Sequence, residues 1–244
     1  MTDQQPPEPP ADPNDPRLGA VGAAAPVGYV APPTGMPEPL GVLTGAALAV
    51  PIVWMGVAVV STALSWQAKN DYLRAARDGT AGWDVFTAYD LLTTLSLPAM
   101  IAAYVVTCLW LYRARVNTDL LSATPQARSR GWAWGGWICP IVCLWFPFQI
   151  VRDTLRVRTH HPASGPLVGW WWGLWLAAII ASNLSGAFVP GGDTIDTDAV
   201  RMIPAASLVS TILLVAAGLL WLRIVAAIDR DQRAQLATAG IPAL

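Results

Sequence analysis

Charged side chains are scarce in this chain. Only 13% of its 244 residues are Asp, Glu, Lys or Arg, about half of the roughly 25% expected of a soluble domain. Lysine occurs once, as Lys69, beside 14 arginines, and the formal net charge is −1. That balance supplies no polycationic surface for a phosphate backbone and excludes most nucleic-acid binders. Cysteine is rare too: three residues imply no disulfide framework. The start, Met-Thr-Asp-Gln-Gln, lacks a basic stretch followed by an apolar one. No cleavable signal peptide is therefore expected, and the first apolar helix must direct insertion itself. Gly-rich phosphate loops, a nucleophile elbow and a His-Glu metal helix are missing as well. So is any acid pair in the middle of an apolar block, which argues against an energised transporter, because proton and cation relays sit near the midplane. The expectation is no catalytic residue, no cofactor and no metal.

Apolar residues take the place of charge. They form 54% of the chain, and the mean hydropathy is +0.44. Residues 1–39 stand apart, holding 11 of the 21 prolines and one aromatic residue, Tyr29. Such a segment cannot bury enough apolar surface to offset the entropy of ordering, and a disordered Pro-rich tail is expected. Its Pro6-Pro7-Glu8-Pro9-Pro10 run favours polyproline II. Five apolar blocks follow: Leu40 to Trp66, Leu91 to Tyr112, Gly131 to Val151, Leu167 to Val189 and Met202 to Ile228. About 20 residues of helix cross ~30 Å of hydrocarbon, while open strands would leave backbone groups unpaired in lipid. The expected fold is an all-α, multi-pass transmembrane helical bundle over 40–230, followed by a short flexible tail at 231–244. Trp66, Trp110, Trp170, Trp171, Trp172 and Trp221 lie near block ends, where indoles suit headgroups. Arg223 sits close enough to the end of its block to snorkel.

The third block differs from the others. Pro140 and Pro147 stand seven residues apart inside it, each removing a backbone donor. Arms of about 10 residues around Pro140 reach ~15 Å, half a bilayer. Two arrangements follow. If the block spans, five crossings divide the basic residues nine to six across the membrane. If it enters and leaves on one face, four crossings with both termini inside put eleven in the cytoplasm. These are Arg17, Arg113, Arg115, Arg128, Arg130, Arg152, Arg156, Arg158, Arg223, Arg230 and Arg233. Only Lys69, Arg74, Arg77 and Arg201 remain outside. The positive-inside rule favours this second arrangement. So do the Trp110–Arg113 and Trp221–Arg223 ends of blocks two and five, which suit helices leaving at one face. Lys69, Arg74 and Arg77, directly after the first block, argue locally for an external amino terminus. The expectation is four crossings plus one Pro-broken segment, re-entrant or spanning, in the cytoplasmic membrane with both termini cytoplasmic. After Pro147, Phe148, Val151 and Leu155 recur at helical spacing opposite Arg152, Asp153 and Arg156. That pattern reads as an in-plane helix on anionic headgroups or as the cytosolic end of a spanning helix.

From Trp110 the chain reads Trp-Leu-Tyr-Arg-Ala-Arg-Val-Asn. From Gly131 it reads Gly-Trp-Ala-Trp-Gly-Gly-Trp-Ile-Cys-Pro-Ile-Val-Cys-Leu-Trp-Phe-Pro-Phe-Gln-Ile-Val-Arg-Asp, and from Gly169 Gly-Trp-Trp-Trp-Gly-Leu-Trp. The spacing of Asn117, Gly131-Trp132, Pro140, Pro147 and the tryptophans after Gly169 resembles the multi-pass bacterial membrane proteins, common in actinobacteria, grouped as domain of unknown function family 4328. The resemblance covers about 90–230 and departs at Cys143, where the pattern carries Asn. It implies an architecture, with neither an activity nor catalytic residues.

Candidate functional residues therefore come from surfaces and packing. Arg113, Asn117, Trp132, Trp137, Pro140, Pro147, Arg152, Asp153, Arg156 and Trp171 form the expected interfacial or functional surface. The fourth block carries a small-residue ridge, Ala177, Ala181 and Ser185, that suits close helix approach, with Asn183 available to hydrogen-bond across helices. Gly41 with Gly45 and Gly131 with Gly135 repeat the small-residue spacing. Cys139 and Cys143 are four apart, but two thiols are half a tetrahedral metal site, and His160-His161 lacks ligand spacing. Expected partners are the bilayer with its anionic headgroups, and a membrane protein or second copy. The leading functional expectation is a non-enzymatic scaffold or partner-binding module. A small channel or permease using 131–151 competes with it. So does a membrane enzyme on a lipid-borne substrate, using Asn117, Gln149, Asp153, His160 and His161.

Overall fold

In lipid a helix satisfies its own backbone, and the computed structural model of the chain contains helices and no strand among the described residues, 35–121, 128–138, 141–156 and 164–238. Four helices are long: α1 (Gly41–Arg77), α2 (Ala88–Leu121), α5 (Ser164–Gly186) and α6 (Thr197–Thr238). Between α2 and α5 lie α3 (Trp132–Ile138), a 3-10 turn (Val142–Leu144) and α4 (Phe146–Arg156). The four long helices are each long and apolar enough to cross a membrane. At most 28% of the most apolar stretch of any of them is buried, and Ile52, Val59, Leu95, Ile180 and Ile212 face outward. A water-soluble domain does not expose an apolar mantle of this extent. The chain is an integral membrane protein, and lipid covers that mantle.

Among the described residues, the third block forms no single helix long enough to cross. At 1.5 Å per residue, the 7 residues of α3 and the 11 of α4 reach about 10 and 16 Å, short of ~30 Å of hydrocarbon.

Helix ends are fixed by local chemistry. Thr87 donates its N–H and its hydroxyl to Asp90 Oδ2, each at 2.7 Å, and Asp90 N–H returns to Thr87 Oγ1 at 3.4 Å. This capping box starts α2, and the Tyr72 hydroxyl joins it from α1. Asp196 caps α6 by accepting from the N–H groups of Asp198 and Ala199. α1 stops at Gly79, whose φ of +72° lets Thr80 N–H reach the Ala75 carbonyl at 3.0 Å.

α1 packs between α2 and α6, and α6 packs between α1 and α5. α2 and α5 do not pack on one another, which leaves a cleft along the bundle. The near end gathers the start of α1 and the carboxyl ends of α2 and α6. The far end carries the connections after α1 and α5. These two connections touch: Gly82 N–H donates to the Gly192 carbonyl at 2.8 Å. A Cβ on Gly82 would lie 2.8 Å from Pro190 Cβ, so the approach requires glycine.

Three expectations change. α6 runs on to Thr238, past the boundary expected at 230, because Ile228, Gln232 and Leu236 continue its buried face. Glu38, at the end of the expected tail, is bonded to Asn117 of the bundle; residues 1–34 lie outside the described residues. Of the six tryptophans expected at headgroups, Trp66 and Trp170 are exposed, but Trp110, Trp171, Trp172 and Trp221 are buried. Their rings form the core instead. Trp221 packs against Trp110 at 5.9 Å and Trp171 at 5.1 Å, while the Trp110 and Trp172 N–H groups find acceptors on Thr44 and Leu144.

Candidate functional site

At the near end, a wholly buried Asn117 joins three segments. Its Oδ1 accepts from Glu38 N–H at 3.1 Å, and its Nδ2 donates to the Glu38 carbonyl at 2.7 Å and to Gln232 Oε1 at 2.9 Å. Gln232 Nε2 donates in turn to the Ala114 carbonyl at 2.9 Å. One carboxamide thus fixes the residues before α1 to both α2 and α6, and Arg113 adds an ion pair with Glu38. Two turns deeper, Trp110 Nε1 donates to Thr44 Oγ1 at 3.0 Å and Thr44 donates to Asp229 Oδ1 at 2.7 Å. Arg233 pairs with the other oxygen of Asp229 at 2.8 Å.

The Pro-broken segment begins and ends at this same end. Arg128, before α3, donates Nε to Gln149 Oε1 on α4 at 2.8 Å, and its guanidinium lies 3.7 Å over the Phe146 ring. Buried Arg115 donates to the Arg128 carbonyl at 2.5 Å, and Arg130 pairs with Asp119 at 2.7 Å. Between these points α3 dips inward. The Tyr104 hydroxyl donates to the Trp134 carbonyl at 3.3 Å, and its ring meets those of Trp134 and Trp137. Tyr104 lies eight residues before Tyr112, where the second apolar block ends, so α3 at Trp134 lies about 12 Å along α2 from that end. Gly136 permits the return, since a Cβ there would stand 3.2 Å from Phe146 Cβ. Trp132 packs edge-on against Phe146 at 4.6 Å. Pro147 occupies the first turn of α4, where a missing N–H costs nothing. α4 buries Ile150, Val151, Thr154 and Leu155, while half-exposed Arg152 pairs with Asp153 at 3.4 Å and lies 5.2 Å from the Phe148 ring. Arg156 is the last residue of α4.

The cleft between α2 and α5 forms the second site. Its half nearer α3 is a cavity of about 490 Å³ walled by Tyr104, Trp137, Trp171, Trp172, Trp175 and Trp221, with Met55 and Gly218 behind. Trp54 meets Trp175 edge-on at 5.6 Å, and Trp137 meets Trp172 and Trp175 at 5.9 and 6.4 Å. The half toward the far end, about 400 Å³, shares Trp54, Met100, Trp175, Ile179 and Leu214 with the first and changes character. Hydroxyls line it. Ser61 meets Thr93 at 3.3 Å, Thr62 meets Thr211 at 2.6 Å, and Ser207 meets Tyr89 and Ser185 at 3.1 and 3.2 Å.

The expected surface therefore divides among three places. Arg113 and Asn117 belong to the near-end clamp, Trp132, Pro147, Arg152 and Asp153 to the α3–α4 element, and Trp137 and Trp171 to the cleft wall. Pro140, Cys139, His160 and His161 lie outside the described residues. On α5, Ala178 and Ser185 are buried, whereas Ala177 and Ala181 are only half-buried. Asn183 does not bridge helices: its Nδ2 donates to the Ile179 carbonyl of its own helix at 2.8 Å. Gly218 instead makes room for the Met55 side chain of α1, whereas neither Gly45 nor Gly131 has a neighbour within 4 Å of an added Cβ. Among the described residues, no group of three or more His, Cys, Asp or Glu converges as a metal site. Sequence reasoning missed Thr44, Arg115, Asp229 and Gln232, single polar residues on apolar helix faces. It also missed the hydroxyls of the cleft, whose signal is a recurrence of Ser and Thr at one depth in four blocks.

No curated protein and no solved structure matches the chain. Residues 75–230, more than half of the chain, match the family model described as Domain of unknown function (DUF4328), and the chain belongs to that family.

Proposed function

We propose that this family member is a non-enzymatic module of the cytoplasmic membrane, with both termini in the cytoplasm. In this reading the near end presents α3 and α4 as a basic platform at the inner leaflet for a membrane-protein partner. One observation carries it: the segment from Arg128 to Arg156 enters and leaves at the end where Arg113, Arg115, Arg128, Arg130 and Arg152 collect. Arginine gathered at one membrane face belongs on the cytoplasmic side, where it also meets anionic headgroups. The channel reading is weakened by the wall of Trp171 and Trp221 at the α3 end of the cleft, backed by Trp110. The enzyme reading is weakened because Asn117, Gln149 and Asp153 are engaged separately, with Glu38 and Gln232, with Arg128 and with Arg152.

Sidedness is tested by labelling single cysteines from outside intact cells, after Cys108, Cys139 and Cys143 are replaced. Thr80→Cys is expected to label, while Ser129→Cys, Ser164→Cys and Thr238→Cys stay protected. Opposite behaviour of Ser129→Cys and Ser164→Cys would restore a fifth crossing. The platform is tested by combining Arg152→Ala, Arg156→Ala and Arg158→Ala. Cross-linked partner yield and retention of anionic lipid should both fall; if neither changes, the role given to this surface is wrong.

A further inference from the structure

The cleft has two chemically different ends, and a membrane offers molecules with the same division. Measured along α2, Thr93 at the hydroxyl end and Thr107 at the aromatic end are 14 residues apart, about 21 Å of helix. One end is walled by Trp137, Trp172 and Trp175, rings that present large apolar area to a chain. The other offers Ser61, Thr62, Thr93, Ser207 and Thr211, whose hydroxyls donate or accept as a guest requires. Beside them Asn183 commits its Nδ2 to Ile179 and leaves its Oδ1 open to a donor. Among the described residues, no Asp, Glu, Lys, Arg or His lines either half. Such a lining opposes a phosphate or an ammonium, which would be desolvated without a counter-charge. A cleft open to the bilayer is filled by lipid chains rather than left empty, and its lining selects among them. Access is lateral, because α2 and α5 bound the cleft without packing on one another.

We propose that the cleft holds one uncharged, hydroxyl-bearing lipid taken sideways from the bilayer, its head among the far-end hydroxyls and its chain between α2 and α5 against the tryptophans. The proposal does not rest on the near-end platform's role, although α3 supplies Trp137 to the cleft wall.

The test uses the full chain in nanodiscs with two photoactivatable probes carrying the same diazirine-labelled chains, a diacylglycerol and a phosphatidylglycerol. The diacylglycerol should cross-link the cleft-lining Ala103, Tyr104 and Thr107 of α2 and Trp172, Trp175 and Leu176 of α5, and unlabelled diacylglycerol should compete it away. Phosphatidylglycerol should label only the outer mantle. Met100→Trp with Ile179→Trp, which fills the cleft, should abolish the diacylglycerol signal. Ser61→Ala with Thr93→Val should weaken it about tenfold through two lost hydrogen bonds at the head. Melting temperatures of both variants in nanodiscs separate loss of binding from loss of fold. Where a variant misfolds, the mapped positions on the natural chain decide. Equal labelling of the cleft by both probes would make it a bulk-lipid surface and overturn the proposal. Cross-links between two copies through the cleft would overturn it in favour of an oligomer, and absence of cleft labelling would overturn it outright.

Discussion

Replacing Asn117 by alanine removes three hydrogen bonds from a wholly buried site, two to Glu38 and one to Gln232. At about 1 kcal/mol net for each bond the loss is ~3 kcal/mol, and at the ~0.6 kcal/mol average between helices in membranes it is ~2 kcal/mol. The upper figure is the better guide, because Gln232 Oε1 is left buried without a donor. Asn117→Asp should cost more than alanine, although it fills the same volume. It sets a carboxylate against two acceptors, the Glu38 carbonyl and Gln232 Oε1. Turning the Gln232 amide over only moves the conflict to the Ala114 carbonyl, which its Nε2 now satisfies. Reversible unfolding in mixed micelles, followed by tryptophan emission, measures these losses. A cycle with Gln232→Leu should give a coupling of about 0.5–1.5 kcal/mol. An alanine variant within about 0.5 kcal/mol of the natural protein, or a cycle without coupling, would refute the clamp.

Three further outcomes are expected. Thr44→Val removes the hydroxyl shared by Trp110 and Asp229 without changing volume; it should cost about 2 kcal/mol in the same unfolding assay, with Thr44→Ser close to neutral. Gly79→Val forces a branched residue to a φ of +72° and should cost about 1–2 kcal/mol, whereas Gly79→Asn should be tolerated, as thermal melting will read. Gly218→Ala puts a methyl group against the flexible end of the Met55 side chain, which can turn into the adjoining cavity; it should cost under about 1 kcal/mol in thermal melting, and a larger loss would show that Met55 is held in place.

The spans were legible because lipid makes a simple demand: a long apolar run must be helical. The break in the third block was legible for a related reason, since Pro140 and Pro147 deny it a continuous helix. The capping of α2 was written locally as well, in Thr87 and Asp90. What hydropathy does not encode is which face of an apolar helix meets protein. A soluble helix declares its buried face by contrast with polar residues, but α5 is apolar all round, so Trp170 and Trp171 look alike in sequence. The first is 70% exposed and the second 3%.

The same loss of contrast hid both sites. Glu38, Asn117 and Gln232 meet across 79 and 115 residues of sequence, a coincidence of helix phase and depth that local spacing does not carry. In water a bundle would close the gap between α2 and α5, because exposing the walls of Trp137, Trp172 and Trp175 would cost apolar hydration. In a bilayer that pressure is absent, since lipid chains solvate those walls as well as another helix would. Polar contacts and ring packing hold the bundle instead, through the clamp at the near end and the Gly82–Gly192 bond at the far end. A cleft between two helices can then stay open without penalty. Weakening either tie should therefore change the separation of α2 and α5 before it unfolds any helix. Distances between spin labels on Leu97→Cys and Ile180→Cys in the Asn117→Ala background will measure this, and an unchanged distribution would argue that α1 and α6 alone set the cleft.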